Sequence, residues 1–273
     1  MSGVLEITIL GCGSSGGVPR ADGEWGVCDP TNPKNARSRC SLLVRRKGEG
    51  DQTTVLIDTS PELRLQTAAA GVKRLDAVLL THDHADQVHG LDDVRAFAVR
   101  QMARIPVWMD AATDASLMRR FGYIFQGEAA YPAICERHPI PAHGVAWTVD
   151  GPSGVIPVVS FDQDHGSMRS VGYRFGDVAY SSDVVDLDDA AFAALEGLDV
   201  WIVDALRYRP HPTHAHLEKT LAWIARAKPR RAILTNMHID LDFATLCTEL
   251  PAGVEPAYDG LVLEHHLSGK NII

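Results

Sequence analysis

Two histidines and an aspartate stand close together in the stretch 81–87, which reads Thr-His-Asp-His-Ala-Asp-Gln. They follow the apolar run Ala-Val-Leu-Leu at 77–80, which predicts a short buried strand. Residues two apart on an extended strand end point to the same side, so His82 and His84 can reach one ion. Imidazole and carboxylate together suit zinc, iron or manganese. The stretch therefore predicts a divalent metal site, the plainer alternative being two ordinary polar residues at the start of a loop.

With Asp86 following this histidine pair, the chain resembles the metallo-β-lactamase superfamily, which has Thr-His-x-His-x-Asp-His after the strand. One position departs from the pattern, since Gln87 stands where the family has its last histidine. Three later segments match the family's motifs in the right order: Asp164-His165-Gly166, Tyr180-Ser181-Ser182-Asp183 and Leu234-Thr235-Asn236-Met237. Each segment alone is weak evidence, but four in order make the resemblance extend over nearly the whole chain.

The resemblance implies that His82, His84 and His165 ligate a first metal, with Asp183 reaching it as a shared ligand. Three neutral nitrogens and one carboxylate, with room for water, are the composition expected of a hydrolytic centre. Metal binding lowers the pKa of a water molecule from about 15.7 to about 7, which supplies hydroxide at neutral pH.

In the family a second metal site is built from four residues, which here are Asp86, Gln87, Asp183 and Asn236. Two imidazoles are thus replaced by amides, whose carbonyl oxygens are poorer ligands for zinc. A weak second site, a site better suited to manganese or magnesium, and no second site all stay open. His89 and His238 each lie two residues beyond a lost histidine and are weighed as substitutes, against the simpler interpretation of exposed histidines. The expected cofactor is one or two divalent ions, zinc or manganese.

The stretch 204–214, Asp-Ala-Leu-Arg-Tyr-Arg-Pro-His-Pro-Thr-His, carries further candidate groups. His214 precedes a predicted helix and could donate a proton to a leaving alkoxide, with Arg207 as a phosphate clamp. Together with Asp86 these are the candidate catalytic residues. The alternative is that His214 caps the helix from the surface.

Two features of the first fifty residues could contribute to the active site. The glycine-rich loop 11–19 lacks the Gly-Lys-Ser/Thr of a phosphate-binding P-loop, and the resemblance makes it a floor of the active site. The second feature is a set of basic residues in a stretch without acidic ones: Lys34, Arg37, Arg39, Arg45, Arg46 and Lys47. They form either a solvated loop and strand edge or a rim that attracts phosphate.

The composition is that of an ordinary globular protein, and 273 residues can form one domain, which we expect to be 1–273. A net charge of -9 disfavours a general nucleic-acid surface. The five cysteines are an odd, scattered set without a C-x-x-C pair, so a disulfide framework is not expected. Neither a signal peptide nor a membrane-spanning run is visible, so a cytoplasmic protein is expected.

The predicted strands and helices favour two packed sheets. Alternating strands are predicted early, at 4–10, 40–45 and 53–58, and strand-helix units later, around the strands 200–204 and 232–235. This mixture indicates an α/β (α+β) protein with helices outside two sheets. The resemblance makes it an αββα sandwich of two mixed β-sheets with helices on the outer faces.

Within the family, the chain is most similar to the small phosphodiesterases of the phosphoribosyl 1,2-cyclic phosphate phosphodiesterase and ribonuclease Z-like branch. The shared features include the Asp-Ala-Leu-Arg strand end and the Ala-Tyr-Asp-Gly segment at 257–260. The resemblance implies a metal-dependent hydrolase of a small phosphodiester, such as a cyclic nucleotide or a cyclic sugar phosphate. Neither polymeric nucleic acid nor a membrane is expected as a partner. The alternative is a non-catalytic or weakly active nucleotide- or metal-binding relative with a degenerate second site. The sequence leaves the substrate, the metal and the oligomeric state open, and a homodimer is one option.

Overall fold

A computed structural model of the chain describes residues 3–267, and its strands are numbered in chain order. The first seven strands are β1 (Gly3–Gly11), β2 (Ser41–Lys47), β3 (Thr53–Ile57), β4 (Ala77–Leu79), β5 (Ile105–Met109), β6 (Cys135–Pro139) and β7 (Ala146–Val149). The next seven are β8 (Ile156–Asp164), β9 (Arg169–Phe175), β10 (Val178–Ser181), β11 (Val200–Asp204), β12 (Arg231–Thr235), β13 (Val254–Pro256) and β14 (Leu261–Leu267). Most of these segments are apolar and β-branched, as strands buried on one or both faces require.

Seven α-helices lie between the strands in residues 3–267: α1 (Leu63–Ala69), α2 (Ala85–Val88), α3 (Arg95–Gln101), α4 (Ala111–Gln126), α5 (Asp189–Ala194), α6 (Leu217–Ala227) and α7 (Phe243–Glu249). Several begin at an acidic cap. The side chain of Asp110 accepts a hydrogen bond from the Thr113 amide at the start of α4, and Asp188 does the same for α5. None of the helices in residues 3–267 combines the length and apolar character that crossing a bilayer requires.

The strands form two seven-stranded sheets, in the orders β14-β1-β2-β3-β4-β5-β6 and β13-β12-β11-β10-β9-β8-β7. Both sheets are mixed. In the first, β14, β1, β2 and β3 pair antiparallel, and β3 to β6 pair parallel. In the second, β7 to β10 pair antiparallel, and β10 to β13 pair parallel. Parallel pairing places the carboxyl ends of neighbouring strands along one edge of each sheet.

Successive side chains of the first sheet point to opposite faces and pack into two different hydrophobic cores. Leu42 and Ile57 belong to the core shared with the second sheet and its helices, whereas Leu43 and Leu56 pack against α1, α3 and α4. The two sheets are also joined by hydrogen bonds, from the Tyr173 hydroxyl to the Leu80 carbonyl (2.7 Å) and between residues 171 and 81. The expected αββα sandwich of two mixed sheets is therefore confirmed.

Candidate metal centre

The two histidines of the first motif lie between β4 and α2. His82 is fully buried, and His84 is an exposed residue with extended backbone dihedrals immediately before α2. Their ring centroids are 4.6 Å apart. The predicted strand therefore ends at the expected place and directs both imidazoles into one small volume.

His165 reaches the same volume from the second sheet, where it follows β8. Its ring centroid lies 5.0 Å from that of His82 and 5.1 Å from that of His84. Its Nε2 is 3.3 Å from Nδ1 of His84. One nitrogen from each of the three histidines lies within 4.8 Å of the other two. The structure thus brings together the three imidazoles that the sequence proposed as ligands.

A chain of hydrogen bonds behind His82 fixes its tautomer. The Thr81 hydroxyl donates to Oδ2 of Asp58 (2.9 Å) and accepts from Nδ1 of His82 (3.0 Å), while the Thr81 amide donates to Oδ1 of Asp58 (2.8 Å). Nε2 of His82 is consequently left with its lone pair, and this buried atom has no hydrogen-bond partner among the described residues. Burial lowers the pKa of His82 to about 3, which keeps the imidazole neutral.

His165 is prepared in the same way. Its Nδ1 donates to the Thr213 carbonyl at 2.7 Å, so Nε2 presents the lone pair toward the other histidines. Burial also lowers the pKa of His165. Neutral imidazoles with one nitrogen anchored and the other free are the form in which histidine binds metals.

Asp183 follows β10 and is almost completely buried. Its Oδ2 accepts hydrogen bonds from Ser182 Oγ (2.5 Å) and Gln87 Nε2 (3.1 Å). Burial opposes ionisation, but the histidine neighbours, of which His214 carries a charge, and the hydrogen bond from Ser182 outweigh that effect and hold the pKa of Asp183 below its ordinary value. One carboxylate oxygen of Asp183 lies within 4.8 Å of ligand nitrogens of His165 and His214. The set of three imidazole nitrogens, among them the unpartnered buried Nε2 of His82, together with a carboxylate fits a divalent ion.

The residues that correspond to a second site are arranged differently. Asp86 is partly exposed, and burial together with Asp183 raises its pKa to about 6. Gln87 is fully buried, with its amide nitrogen on Asp183. Asn236 is also buried, and its Nδ2 lies 3.1 Å from Nδ1 of His214. Neither cluster of potential metal ligands found in residues 3–267 includes Asp86.

The two histidines considered as substitutes contact other groups. Nε2 of the exposed His89 lies 3.1 Å from Nη2 of Arg120. His238 has its Nδ1 3.1 Å from Oδ1 of Asp240 and its Nε2 against Arg20. Neither belongs to a cluster of potential ligands in the described part of the chain.

His214 lies inside the centre. Its side chain is only 16% exposed, its ring centroid is 4.8 Å from that of His165, and its Nδ1 is 3.0 Å from Oδ2 of buried Asp204. Burial opposes protonation of His214, but the adjacent Asp204 carboxylate dominates and raises its pKa to about 9. Helix α6 is preceded by His216, whose side chain makes no capping hydrogen bond. The structure therefore does not support a surface cap by His214.

Arg207 is held by its own loop. Its guanidinium donates to the carbonyl oxygens of Arg209 (3.1 Å) and Pro210 (2.9 Å). Its role as a phosphate clamp stays a prediction, and would require the guanidinium to exchange these partners for substrate.

The early basic residues do not form a free rim. Three of them pair with acidic residues from other segments: Arg39 with Glu62 (2.6 Å), Arg45 with Glu6 (2.7 Å), and Lys47 with Glu6 (2.9 Å). Arg46 donates to a carbonyl, Arg37 is buried, and Lys34 lies over the rings of Phe243 and Tyr258. The solvated-edge interpretation missed these partners because they are distant in the sequence.

The glycine-rich loop lies beside the centre. Gly13 bridges to Met237, the residue after Asn236, and its carbonyl accepts from the Cys40 thiol. A Cβ at Gly13 would lie 2.8 Å from the Arg37 carbonyl oxygen, so only glycine fits this close approach without a shift. The placement agrees with a floor of the pocket.

Two residues of the centre, Asp58 and Asp204, have no role assigned by the sequence motifs. Asp58 follows the apolar strand β3, which is parallel to β4, and this adjacency was the available signal. Asp204 stands at the end of β11, which pairs parallel with β10 and β12, so the same kind of adjacency was available for it.

A model of the β-lactamase superfamily domain matches residues 53–239. Among solved structures, a diphosphatase from the PhnP family superimposes with a TM-score of 0.87 at 35% identity, over 98% of this chain and 99% of that one. Zn²⁺-bound PqqB from Methylobacterium extorquens superimposes with a TM-score of 0.71 at 20% identity, over 94% and 99% of the two chains.

Two curated relatives are longer. An octanoyltransferase of Porphyromonas gingivalis (strain ATCC BAA-308 / W83) is 31% identical over 265 residues, which are 94% of this chain and 51% of that protein. A ribonuclease Z of Mycobacterium sp. (strain KMS) is 29% identical over 210 residues, 71% of this chain and 65% of that protein. The chain thus spans about half of the first relative and less than two thirds of the second. The domain match, the paired seven-stranded sheets and the superposition on the PhnP-family diphosphatase together show that the chain belongs to the β-lactamase superfamily and has the metallo-β-lactamase fold.

Proposed function

We propose that the chain is a metal-dependent hydrolase that cleaves a small phosphodiester, such as a cyclic nucleotide or a cyclic sugar phosphate. The observation that carries the proposal is the convergence of His82, His84 and His165, from two different sheets, around the unpartnered Nε2 of His82. Asp183 and His214 stand beside them. Buried imidazoles without partners are costly unless a ligand satisfies them.

The three imidazoles would hold zinc or manganese, with Asp183 as a further ligand. When bound, such an ion lowers the pKa of water, supplies a nucleophile at neutral pH and polarises a phosphoryl oxygen. The protein's own residues then orient the metal-binding imidazoles and donate a proton to the leaving group. Thr81 and Asp58 fix the ring of His82 through hydrogen bonds at 3.0 and 2.9 Å.

His214 is suited to proton donation. In its protonated form Nδ1 donates to Oδ2 of Asp204, and the Nε2 proton is available to the oxygen of a leaving alcohol. Asp204 also accepts from the Val184 amide at 3.1 Å, which fixes the carboxylate and through it the ring of His214. We assign His214 the role of general acid.

The substrate class is inferred from chemistry and from relatives. The name of ribonuclease Z denotes cleavage of RNA, whose units are joined by phosphodiester bonds, and the name of the PhnP-family diphosphatase denotes cleavage of a diphosphate. The net charge of -9 disfavours a long polyanionic substrate, because repulsion grows with the number of phosphates. A small phosphodiester agrees with the chemistry of these relatives and carries few negative charges.

A second candidate is hydrolysis of a diphosphate bond. The structure at 35% identity is described as a diphosphatase, and the same nucleophile and acid would serve a phosphoanhydride. The alternative of a binding protein without turnover is motivated by Gln87 and Asn236, which replace two histidines of the family pattern.

The test is a panel of bis(p-nitrophenyl) phosphate, cyclic phosphodiesters and diphosphates, assayed with zinc, manganese or magnesium after removal of bound metal. We expect turnover that a chelator abolishes and that His165→Ala lacks. His214→Gln should bind metal normally but turn over about 100- to 10,000-fold more slowly. His143→Gln is the control, because His143 contacts Ser160 rather than the centre. Absence of turnover with every ion and substrate would refute the proposal, and tight nucleotide binding in that case would favour the binding protein.

A further inference from the structure

Gln87 occupies a fixed position within the centre. Its main-chain carbonyl accepts hydrogen bonds from the amide (2.7 Å) and the hydroxyl (3.2 Å) of Thr59, and its side chain is fully buried. The side-chain Nε2 donates to Oδ2 of Asp183 at 3.1 Å. Because the backbone is anchored, the amide can reach Asp183 but has little freedom to turn elsewhere.

The same carboxylate oxygen has another donor. Ser182 Oγ lies 2.5 Å from Oδ2 of Asp183. Two neutral donors therefore satisfy Oδ2 of Asp183 without a second ion. A cation at that place would have to displace both hydrogen bonds in a buried environment, where lost hydrogen bonds are expensive.

The Asn236 side chain lies between His214 and Cys40. Its Nδ2 lies 3.1 Å from Nδ1 of His214, and its Oδ1 is 3.9 Å from the thiol of Cys40. Its backbone φ of 59° is left-handed, a conformation that asparagine adopts more readily than most residues. The residue thus serves the environment of His214 rather than a metal site.

Nearby histidines do not restore the lost ligands. His89 contacts Arg120, and His238 lies between Asp240 and Arg20. Two features favour a second ion. Oε1 of Gln87 is a buried acceptor without a hydrogen-bond partner among the described residues, and His165, Asp183 and His214 form a second cluster of potential ligands. That cluster shares His165 with the first one, and because Nδ1 of His165 donates to the Thr213 carbonyl, only its Nε2 is left to bind an ion. Nδ1 of His214 is likewise engaged, 3.0 Å from Oδ2 of Asp204. An amide oxygen is a weak ligand for zinc.

We propose that the centre holds one divalent ion, at His82, His84 and His165, and that the Gln87 amide takes the place of a second ion as the partner of Asp183. The amide orients the carboxylate as a cation would, but through hydrogen bonding and without adding charge. The inference rests on the proposed function only in requiring that the three imidazoles bind a divalent ion.

The test is the stoichiometry of metal binding to the full chain. Metal-free protein is titrated with Co²⁺, followed by its visible absorption, and Zn²⁺ content is measured by elemental analysis after gel filtration. We expect saturation at about one ion per chain for both metals. Saturation at two ions would overturn the one-ion inference and leave the proposed function standing. No binding would overturn both.

Variants test the role of the amides with the same readout. The double variant Gln87→His and Asn236→His should raise the stoichiometry from one ion toward two, with a second step in the Co²⁺ absorption. His89→Gln and His238→Gln are the matched controls and should leave it at one. A fall in metal content in either control would show that a displaced histidine is a ligand and would overturn the inference. If the double variant does not fold, Gln87→Glu offers an isosteric replacement that adds a carboxylate at the same place, and it should also bind a second ion.

Discussion

The ligand nitrogen of His82 is prepared by two residues that do not touch the proposed ion. Asp58 accepts from the Thr81 hydroxyl, which in turn accepts from Nδ1 of His82. The relay keeps the proton on Nδ1 and directs Nε2 toward His84 and His165. Groups behind a metal ligand in this way set its basicity as well as its orientation.

Thr81→Val removes the acceptor for Nδ1 of His82 with little change in volume. We expect metal affinity to fall by about 10- to 100-fold, because the ring loses its anchor and its preferred tautomer. Competition with a chromogenic chelator measures the change. Thr67→Val is the control, since the Thr67 hydroxyl bonds to the Leu63 carbonyl within α1. Equal affinity of wild type and Thr81→Val would contradict the role of the relay.

His214 provides a prediction of pH dependence in the metal-free protein. Its pKa in the folded protein, about 9, lies above the ordinary 6.5 because the nearby Asp204 carboxylate outweighs burial. The folded protein therefore retains a proton that the unfolded chain releases. The stabilisation is fully present below pH 6.5 and is lost as the pH rises toward 9.

Nuclear magnetic resonance titration of the ring tests this sign. We expect the pKa of His214 to lie above 6.5 in the metal-free protein. In Asp204→Asn the pKa of His214 should lie nearer to 6.5. The corresponding loss of thermal stability between pH 6.5 and 9 should be smaller in Asp204→Asn. A titration of wild-type His214 below 6.5 would contradict the ion pair.

At the scale of elements, the centre is built from strand ends with a common backbone feature. Asp58, Asp183 and Asn236 follow β3, β10 and β12, and their φ angles are 59°, 55° and 59°. Aspartate and asparagine tolerate this left-handed conformation better than other residues that carry a Cβ. The sharp turn after each strand directs a short polar side chain into the space between the sheets.

The turn after α2 also requires close contact of two segments. A Cβ at Gly90 would lie 2.1 Å from the Ser60 carbonyl oxygen and 2.8 Å from Cβ of Leu63. We expect Gly90→Ala to lower the free energy of unfolding by about 1–3 kcal/mol through overpacking. In Gly122→Ala, within α4, the nearest atoms would be 3.8 Å away, so this helical control should gain about 0.5–1 kcal/mol. Urea denaturation measures both, and equal stabilities of the two variants would refute the predicted clash.

The apolar strands can be predicted from the sequence, whereas the polar ones cannot. Strand β11 matches its predicted bounds because Val-Trp-Ile-Val is buried throughout. Strand β6, Cys-Glu-Arg-His-Pro, was not predicted because it is a polar edge strand. Helix α4 departs from helical dihedrals at Phe121, yet it continues to Gln126. Local patterns do not contain the packing that extends the helix.

The site likewise contains residues that local sequence patterns indicate and contacts that only the packing of the sheets determines. The histidine motif and strand 77–80 could be recognised locally, and the family resemblance added His165 and Asp183. That His165 meets His82 depends on how one sheet packs on the other, which no local pattern determines. The partners of the basic residues were missed for the same reason, since Glu6 and Glu62 come from other elements.

At the scale of the whole molecule, the proposed ion would connect the two sheets. His82 and His84 follow a strand of the first sheet and His165 follows a strand of the second, so binding should favour the state in which the sheets are packed. A ligand that binds only the folded protein adds stability in proportion to the logarithm of its concentration.

Metal addition should therefore raise the unfolding temperature. At a free metal concentration 100-fold above the dissociation constant, the gain is about 2.7 kcal/mol. Differential scanning calorimetry with and without a chelator measures it. His165→Ala should abolish the metal-dependent shift, and a shift that survives this substitution would place the ion elsewhere.

The most direct measurement is an anomalous difference map from a crystal of the protein grown with Zn²⁺ and recorded on both sides of the zinc absorption edge. A peak about 2.0–2.1 Å from one nitrogen each of His82, His84 and His165 is the predicted result. A map in which zinc lies elsewhere, or in which these three imidazoles share no peak, would contradict the metal centre.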